Sequence, residues 1–146
     1  MNKKIFIACD HAGFELKKRI ISKFQKKLNF IDLGTKSSDS VDYPDYAHLL
    51  CQKIRQDNSK FGILICGSGV GMSIVANRYL SVRAALCFDH KMALLAREHN
   101  DANVLVLGSR LISFEEAIKS IDIFFSTNFE GGRHQGRLDK FYDVKQ

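Results

Sequence analysis

The chain has 146 residues, 45% of them hydrophobic and 26% charged, a balance that suits a water-soluble globular domain and excludes a disordered or fibrous chain. That length buries a core without disulfides or structural metal, and no apolar run is long enough to span a bilayer. The net charge of +6 favours anionic partners without naming one, and no nucleic-acid reader motif accompanies it.

Strands and helices alternate along the chain. Lys4–Cys9 reads as a buried strand, and the run behind Met1 is too short for a signal peptide. Leu16, Ile20, Ile21, Phe24 and Leu28 recur at helical spacing. Lys17, Lys18, Lys23, Lys26 and Lys27 are expected on the solvated face of that helix. Phe30–Leu33 is a second strand, closed by Gly34. After a Ser/Asp loop, Pro44 suits the first turn of a helix striped by Ala47, Leu50, Cys51 and Ile54. Phe61–Cys66 is the third strand. The tight turn Gly67-Ser68-Gly69-Val70-Gly71 leads to a short helix through Ala76. Val82–Cys87 is the fourth strand, Met92–Ala96 a compact helical segment, and Asn103–Leu107 the fifth strand. Ser113 and Glu116 form a capping box before a helix striped by Phe114, Ala117, Ile118, Ile121 and Phe125. The Gly/Arg-rich tail after Phe129 has no evident place in the sheet.

The strands are continuously apolar, as strands buried on both faces must be. Residues 1–146 are therefore expected to form one α/β domain, a five-stranded parallel sheet covered by helices on both sides. Ligands of such sheets bind beyond the carboxyl ends of the strands. That rule points to Asp10-His11 after the first strand, Cys66 and its glycines after the third, Asp89-His90 after the fourth, and Gly108-Ser109-Arg110 after the fifth. His99-Asn100 lies before the fifth strand, at a helix end, and needs a separate account.

Cys66-Gly67-Ser68-Gly69-Val70-Gly71 is the most informative stretch. Glycines let several backbone N–H groups turn toward one point. Such a loop can hold a phosphate, hold an enediolate oxyanion, or lower the pKa of a thiol at its mouth. The plainer reading is a tight turn beside a buried cysteine, and Cys9 and Cys87 fit that description. The loop is not a Walker A motif, since no Lys follows the glycines, and it is a poor dinucleotide fingerprint. The four cysteines, Cys9, Cys51, Cys66 and Cys87, include no CxxC pair, and no His/Cys cluster has zinc-like spacing. They are expected to be reduced, in the cytoplasm.

Arg110, Arg133 and Arg137 are candidate phosphate ligands; Arg55 and Arg97 read as surface charges. Arg133 and Arg137 share a face if their segment is helical, which Gly136 opposes. His11 and His99 are candidates for general acid/base work or for structural hydrogen bonding. His48 reads as a surface residue, and His90 has no assigned part.

Taken together, the motifs resemble a known family, ribose-5-phosphate isomerase B and the related galactose-6-phosphate isomerase subunits. The resemblance rests on Cys9-Asp10-His11-Ala12-Gly13, Asp42-Tyr43-Pro44, Cys66 to Gly71, His99-Asn100-Asp101-Ala102-Asn103-Val104, Gly108-Ser109-Arg110 and Glu130-Gly131-Gly132-Arg133-His134. They occur in the family's order along nearly the whole chain. The resemblance implies a Rossmann-like three-layer sandwich working as a homodimer or homotetramer with shared active sites. It implies no metal and no organic cofactor, and a sugar phosphate as the small-molecule partner, with no nucleic acid and no membrane. Cys66 would move the proton between C1 and C2. The N–H groups of Gly67, Gly69, Val70 and Gly71, helped by Ser68, would stabilise a cis-enediolate. His99 would assist ring opening, with Asp10 and Tyr43 near the sugar and Asn100 on its oxygens. His11, Arg110, Arg133, His134 and Arg137 would surround the phosphate. Position 68 is Ser where many relatives carry Thr, which keeps the hydroxyl.

Two other substrate readings keep the fold: galactose 6-phosphate and allose 6-phosphate. A non-enzymatic phosphate-binding module would need the glycines and arginines but would have no use for both Cys66 and His99. A nucleic-acid binder is suggested by charge alone and would show steep salt dependence.

Overall fold

In a computed structural model describing residues 3–57 and 60–145, five parallel strands form one sheet in the order β2-β1-β3-β5-β4. The strands are β1 (Lys4–Cys9), β2 (Asn29–Asp32), β3 (Phe61–Cys66), β4 (Ala84–Leu86) and β5 (Val104–Gly108). The helices are α1 (Phe14–Phe24), α2 (Tyr43–Gln56), α3 (Val70–Ala76), α4 (His90–Asn100), α5 (Phe114–Ser126) and α6 (Arg133–Leu138). This is the expected α/β parallel-sheet architecture.

Alternation along the strands builds two cores. Ile5, Ile7, Cys9, Ile63, Ile65, Leu105 and Leu107 face α1, α4 and α5, meeting Ile20, Phe24, Ala93, Ala96, Ala117, Ile121 and Phe124. Phe6, Ala8, Leu64, Cys66, Val104 and Val106 face α2 and α3, meeting Ala47, Leu50, Cys51, Ile54, Met72 and Ala76. The layers follow from a period-2 strand buried on both sides. Register then sets the active edge: Cys9 pairs with Ile65 across β1–β3, and Cys66 with Gly108 across β3–β5. The chain reverses direction around β1, with β2 on one side and β3 on the other, so a crevice opens at the carboxyl ends of β1 and β3.

Several boundaries differ from the sequence expectations. α1 stops at Phe24, and Leu28 leads into β2. β4 contracts to three residues at the sheet edge. α4 extends over eleven residues and carries His99 and Asn100 in its last turn. The tail forms α6 despite Gly136. Ser113 does cap α5, its Oγ accepting the Glu116 N–H at 3.2 Å. The reciprocal half of the box is diverted, because the Glu116 carboxylate instead accepts the His90 N–H at 2.7 Å.

Two charged residues expected at the surface are buried. Lys17 is 1% exposed because it shares the inward stripe of α1 with Ile20 and Phe24. Its Nζ donates to Asp32 Oδ1 and to the Thr35 carbonyl, both at 2.6 Å. Arg97 is also buried. Its Nε donates to the Thr127 carbonyl at 3.2 Å, and one terminal nitrogen to Asp101 at 2.9 Å. The guanidinium lies over the rings of Phe61 and Phe124, so flat aromatic faces replace part of its lost hydration. Among the described residues, no helix is long and apolar enough to cross a membrane.

Candidate active site

A cleft of about 470 Å³ opens where β1, β3 and β5 end. Asp10, His11, Tyr43, Cys66, Gly67, Ser68, Gly71 and Arg110 line it, all of them named from the sequence. Ala12 and Leu111 complete the wall. Ala12 belongs to the first motif and Leu111 directly follows Arg110, but neither carries a reactive group that would have singled it out.

Hydrogen bonds extend the sheet into the cleft. Asp10 N–H donates to the Ile65 carbonyl at 3.1 Å, Ser109 N–H to Cys66 at 2.8 Å, and Arg110 N–H to Gly67 at 3.0 Å. The exits of β1 and β5 are thereby stitched to that of β3. The backbone of Gly108 passes so close to Ser68 that a Cβ would fall 2.5 Å from its carbonyl oxygen. Arg110 lies over Gly67, with a terminal nitrogen 2.9 Å from where a Cβ would sit. Ser109 Oγ ties this corner to the first loop by donating to the Ala12 carbonyl at 2.8 Å.

Cys66 is 4% exposed, and its Sγ accepts the Gly69 N–H at 3.1 Å. Gly69 makes this possible by adopting φ +79° at the start of α3, a conformation that favours glycine. Next to it, Ser68 is exposed and its Oγ accepts the Val70 N–H at 3.2 Å. The other three thiols are buried as well. Burial pushes Cys51 and Cys87 up to about 12 and Cys9 up to about 11, so thiolate chemistry is suppressed there.

On the opposite wall, Asp10 is buried and its Oδ1 accepts the Gly13 N–H at 3.1 Å. His11 Nδ1 lies 3.2 Å from both the N–H and the carbonyl of Val41, which fixes the ring in the mouth of the cleft. Tyr43 packs on Gly71 so tightly that a Cβ there would fall 2.4 Å from its ring.

The remaining candidates gather elsewhere. His99 and Asn100 end α4, before β5 begins, whereas Gly108 closes β5 and Ser109 and Arg110 follow it. The five residues of β5, taken as four steps of about 3.3 Å, put roughly 13 Å between the two ends of the strand. His99 stacks on His134, ring centroids 4.2 Å apart and planes 15° apart. His134 is buried, and its Nε2 lies 3.3 Å from Glu130 Oε2. Arg133 and Arg137 are exposed on α6. Asn100 lines a different hollow with Arg83, Phe141 and Tyr142. One chain therefore places the fifteen sequence-named residues in two groups at opposite ends of its sheet. Glu130 stands in the tail motif but was given no role, because it lies 30 positions beyond Asn100; only the docking of α6 on α4 joins them.

Known proteins resemble the chain along nearly its whole length. A family model described as Ribose/Galactose Isomerase matches residues 5–141. A probable ribose-5-phosphate isomerase B of Mycoplasma pneumoniae is 51% identical over 96% of this chain and 93% of its own length. The crystal structure of a ribose 5-phosphate isomerase from Thermotoga maritima superposes with a TM-score of 0.94 at 52% identity, covering 99% of this chain and 100% of that one. A ribose-5-phosphate isomerase B from Mycoplasma genitalium with bound ribulose 5-phosphate superposes with a TM-score of 0.90 at 47% identity, covering 96% and 94%. From its motifs, its sheet and these relatives, the chain belongs to the ribose/galactose isomerase family.

Proposed function

We propose that the chain interconverts D-ribose 5-phosphate and D-ribulose 5-phosphate through a cis-enediolate, a step of the non-oxidative pentose phosphate pathway, in the cytoplasm. The observation that carries this reading is the Cys66–Gly69 pair. It places a sulfur at the head of a cleft whose other walls present a carboxylate, an imidazole and a guanidinium.

Cys66 as thiolate removes the proton from C2 of the open-chain aldose. The C–H electrons form the C1–C2 double bond, and the carbonyl electrons pass to O1. The thiol returns the proton to C1, while the O2 proton passes to O1, so that O2 becomes the ketone oxygen and O1 the hydroxyl. Charge on the enediolate oxygens develops beside the N–H groups of Gly67 to Gly71 and the Ser68 hydroxyl. Donors fixed before reaction cost no reorganisation, and losing one typically lowers kcat roughly 10²–10³-fold. His11 and Arg110 hold the phosphate, with Asp10 and Tyr43 on the sugar. Anchoring the phosphate keeps the reacting carbons in register.

Ring opening, assigned to His99, together with Asn100, Arg133, His134 and Arg137, is supplied by a second copy of the chain. Each cleft of a homodimer, alone or within a tetramer, is then completed across the subunit boundary. Isologous pairing suits this, because each chain offers the same two unlike groups.

The test is formation of ribulose 5-phosphate from ribose 5-phosphate in the presence of EDTA, with Cys66→Ala and allose 6-phosphate in parallel. Pentose turnover lost in the variant, with slower turnover of allose 6-phosphate, is expected. Turnover of hexose phosphate alone would move the substrate to the six-carbon sugars.

A further inference from the structure

Away from the chain's own cleft, three side chains converge. His99 in the last turn of α4, Glu130 before α6, and His134 in the first turn of α6 each offer one ligand atom. Those atoms all lie within 4.8 Å of one another. The backbone holds them together: Glu130 N–H donates to the Glu98 carbonyl at 3.1 Å, and His134 N–H to the Gly131 carbonyl at 3.1 Å. His134 is 4% exposed, whereas His99 is half-buried and Glu130 exposed. The cluster therefore has a fixed floor and an open side.

Two imidazole nitrogens and one carboxylate oxygen form the donor set of open zinc sites, which leave a fourth position free. Imidazole selects zinc-like ions over magnesium or calcium. Ligand atoms at about 2.0–2.2 Å from a tetrahedral ion lie roughly 3.3 Å apart, so the cluster must contract. Rotation of the half-buried His99 ring about its broad terminal torsion supplies that movement. It exchanges the ring stack for a bond to the ion, while His134 and the backbone stay in place.

We propose that His99, Glu130 and His134 bind a zinc-class divalent cation, and that the bound ion reversibly inhibits the enzyme. The inhibition rests on the assignment of ring opening to His99. An imidazole lone pair given to a metal cannot carry the proton that ring opening requires. The ion is a blocker here, not a cofactor.

The experiment uses EDTA-stripped full-length protein. Equilibrium dialysis against zinc should give one ion per chain, and cobalt(II) should give the visible absorption of a tetrahedral site. Glu130→Gln and His134→Ala should each weaken zinc binding at least as much as loss of an outer-shell partner does, roughly 10–100-fold. Zinc should silence wild-type turnover, and EDTA should restore it. Glu130→Gln alters no group assigned to the substrate; it should match wild-type turnover without zinc and keep it at a zinc concentration that silences wild type. Substoichiometric binding, unchanged affinity in both variants, or equal inhibition of Glu130→Gln would overturn the proposal. Absence of pentose turnover in every form would instead count against the isomerase reading, and dialysis would still decide the ion site.

Discussion

The sulfur of Cys66 accepts the backbone N–H of Gly69 at 3.1 Å. This contact holds the sulfur as an acceptor at the point where the glycine loop turns into α3. Cys66→Ala should leave the fold intact, since only a small buried side chain is shortened. Turnover should fall by at least roughly 10⁴-fold, the upper range for a positioned proton-transfer group. Binding of ribose 5-phosphate, measured by calorimetry, should persist. Normal turnover by this variant would remove Cys66 from the role of base.

Ser68 is exposed and bonded only to the Val70 N–H at 3.2 Å among the described contacts. Ser68→Ala should lower kcat by roughly 10–10³-fold if the hydroxyl reaches the enediolate, with little change in melting temperature. Ser68→Thr should retain near-normal kcat, because the hydroxyl is kept on a stiffer side chain. Steady-state kinetics of the two variants side by side separates loss of the hydroxyl from disturbance of the loop.

Mixed oligomers test whether the sites are shared. Cys66→Ala and His99→Ala should each be nearly inactive alone. Co-expressed with different tags, they should form heterodimers in which one cleft has both intact residues. A random mixture should then recover about a quarter of wild-type activity. No recovery in purified heterodimers would place His99 and Cys66 in the same chain's site or outside catalysis.

Lys17 joins α1 to the end of β2 through Asp32 and Thr35, directly behind the strand that delivers Asp10. Lys17→Met should destabilise the fold by about 2 kcal/mol, within the range for a charged hydrogen bond. Asp32 is partly exposed and also accepts the Gly34 N–H, which keeps the loss at the modest end. A melting temperature lowered by about 4–8 °C is the readout.

Buried thiols set an alkaline limit. In the unfolded chain Cys51 titrates near its ordinary 9.0, whereas in the fold burial raises it to about 12. Between those values the folded state holds a proton that the unfolded state has lost. The contribution is complete below pH 9 and is lost as pH rises toward 12. Denaturant midpoints should fall over this range, and Cys51→Ala should make the fall shallower while costing about 1 kcal/mol at neutral pH.

The sequence made the cleft legible because its residues follow strand ends at once. Asp10 and His11 leave β1, Cys66 to Gly71 leave β3, and Arg110 leaves β5. Lys17 was harder to read, although its spacing from Ile20 and Phe24 is that of the buried stripe; a charged type on an apolar stripe asks for a partner, and Asp32 lies on another element. Arg97 was misplaced for the same reason, since its aromatic shelf comes from Phe61 and Phe124. The distance between Cys66 and His99 within one chain follows from the direction of β5, which no local motif encodes. Gly136 argued against a helix that forms because His134 and Leu138 bury the inner face of α6.

The bonds from Ser109 to Cys66 and from Arg110 to Gly67 continue the β3–β5 ladder beyond the strands. The glycine loop thus inherits the stiffness of the sheet itself. It acts as a fixed jaw whose shape is set before any sugar arrives. The opposing jaw belongs to the neighbouring copy in the proposed assembly. The grip on substrate then varies with how two rigid bodies seat against each other, and a substitution at that seam can retune turnover without touching a single reactive atom.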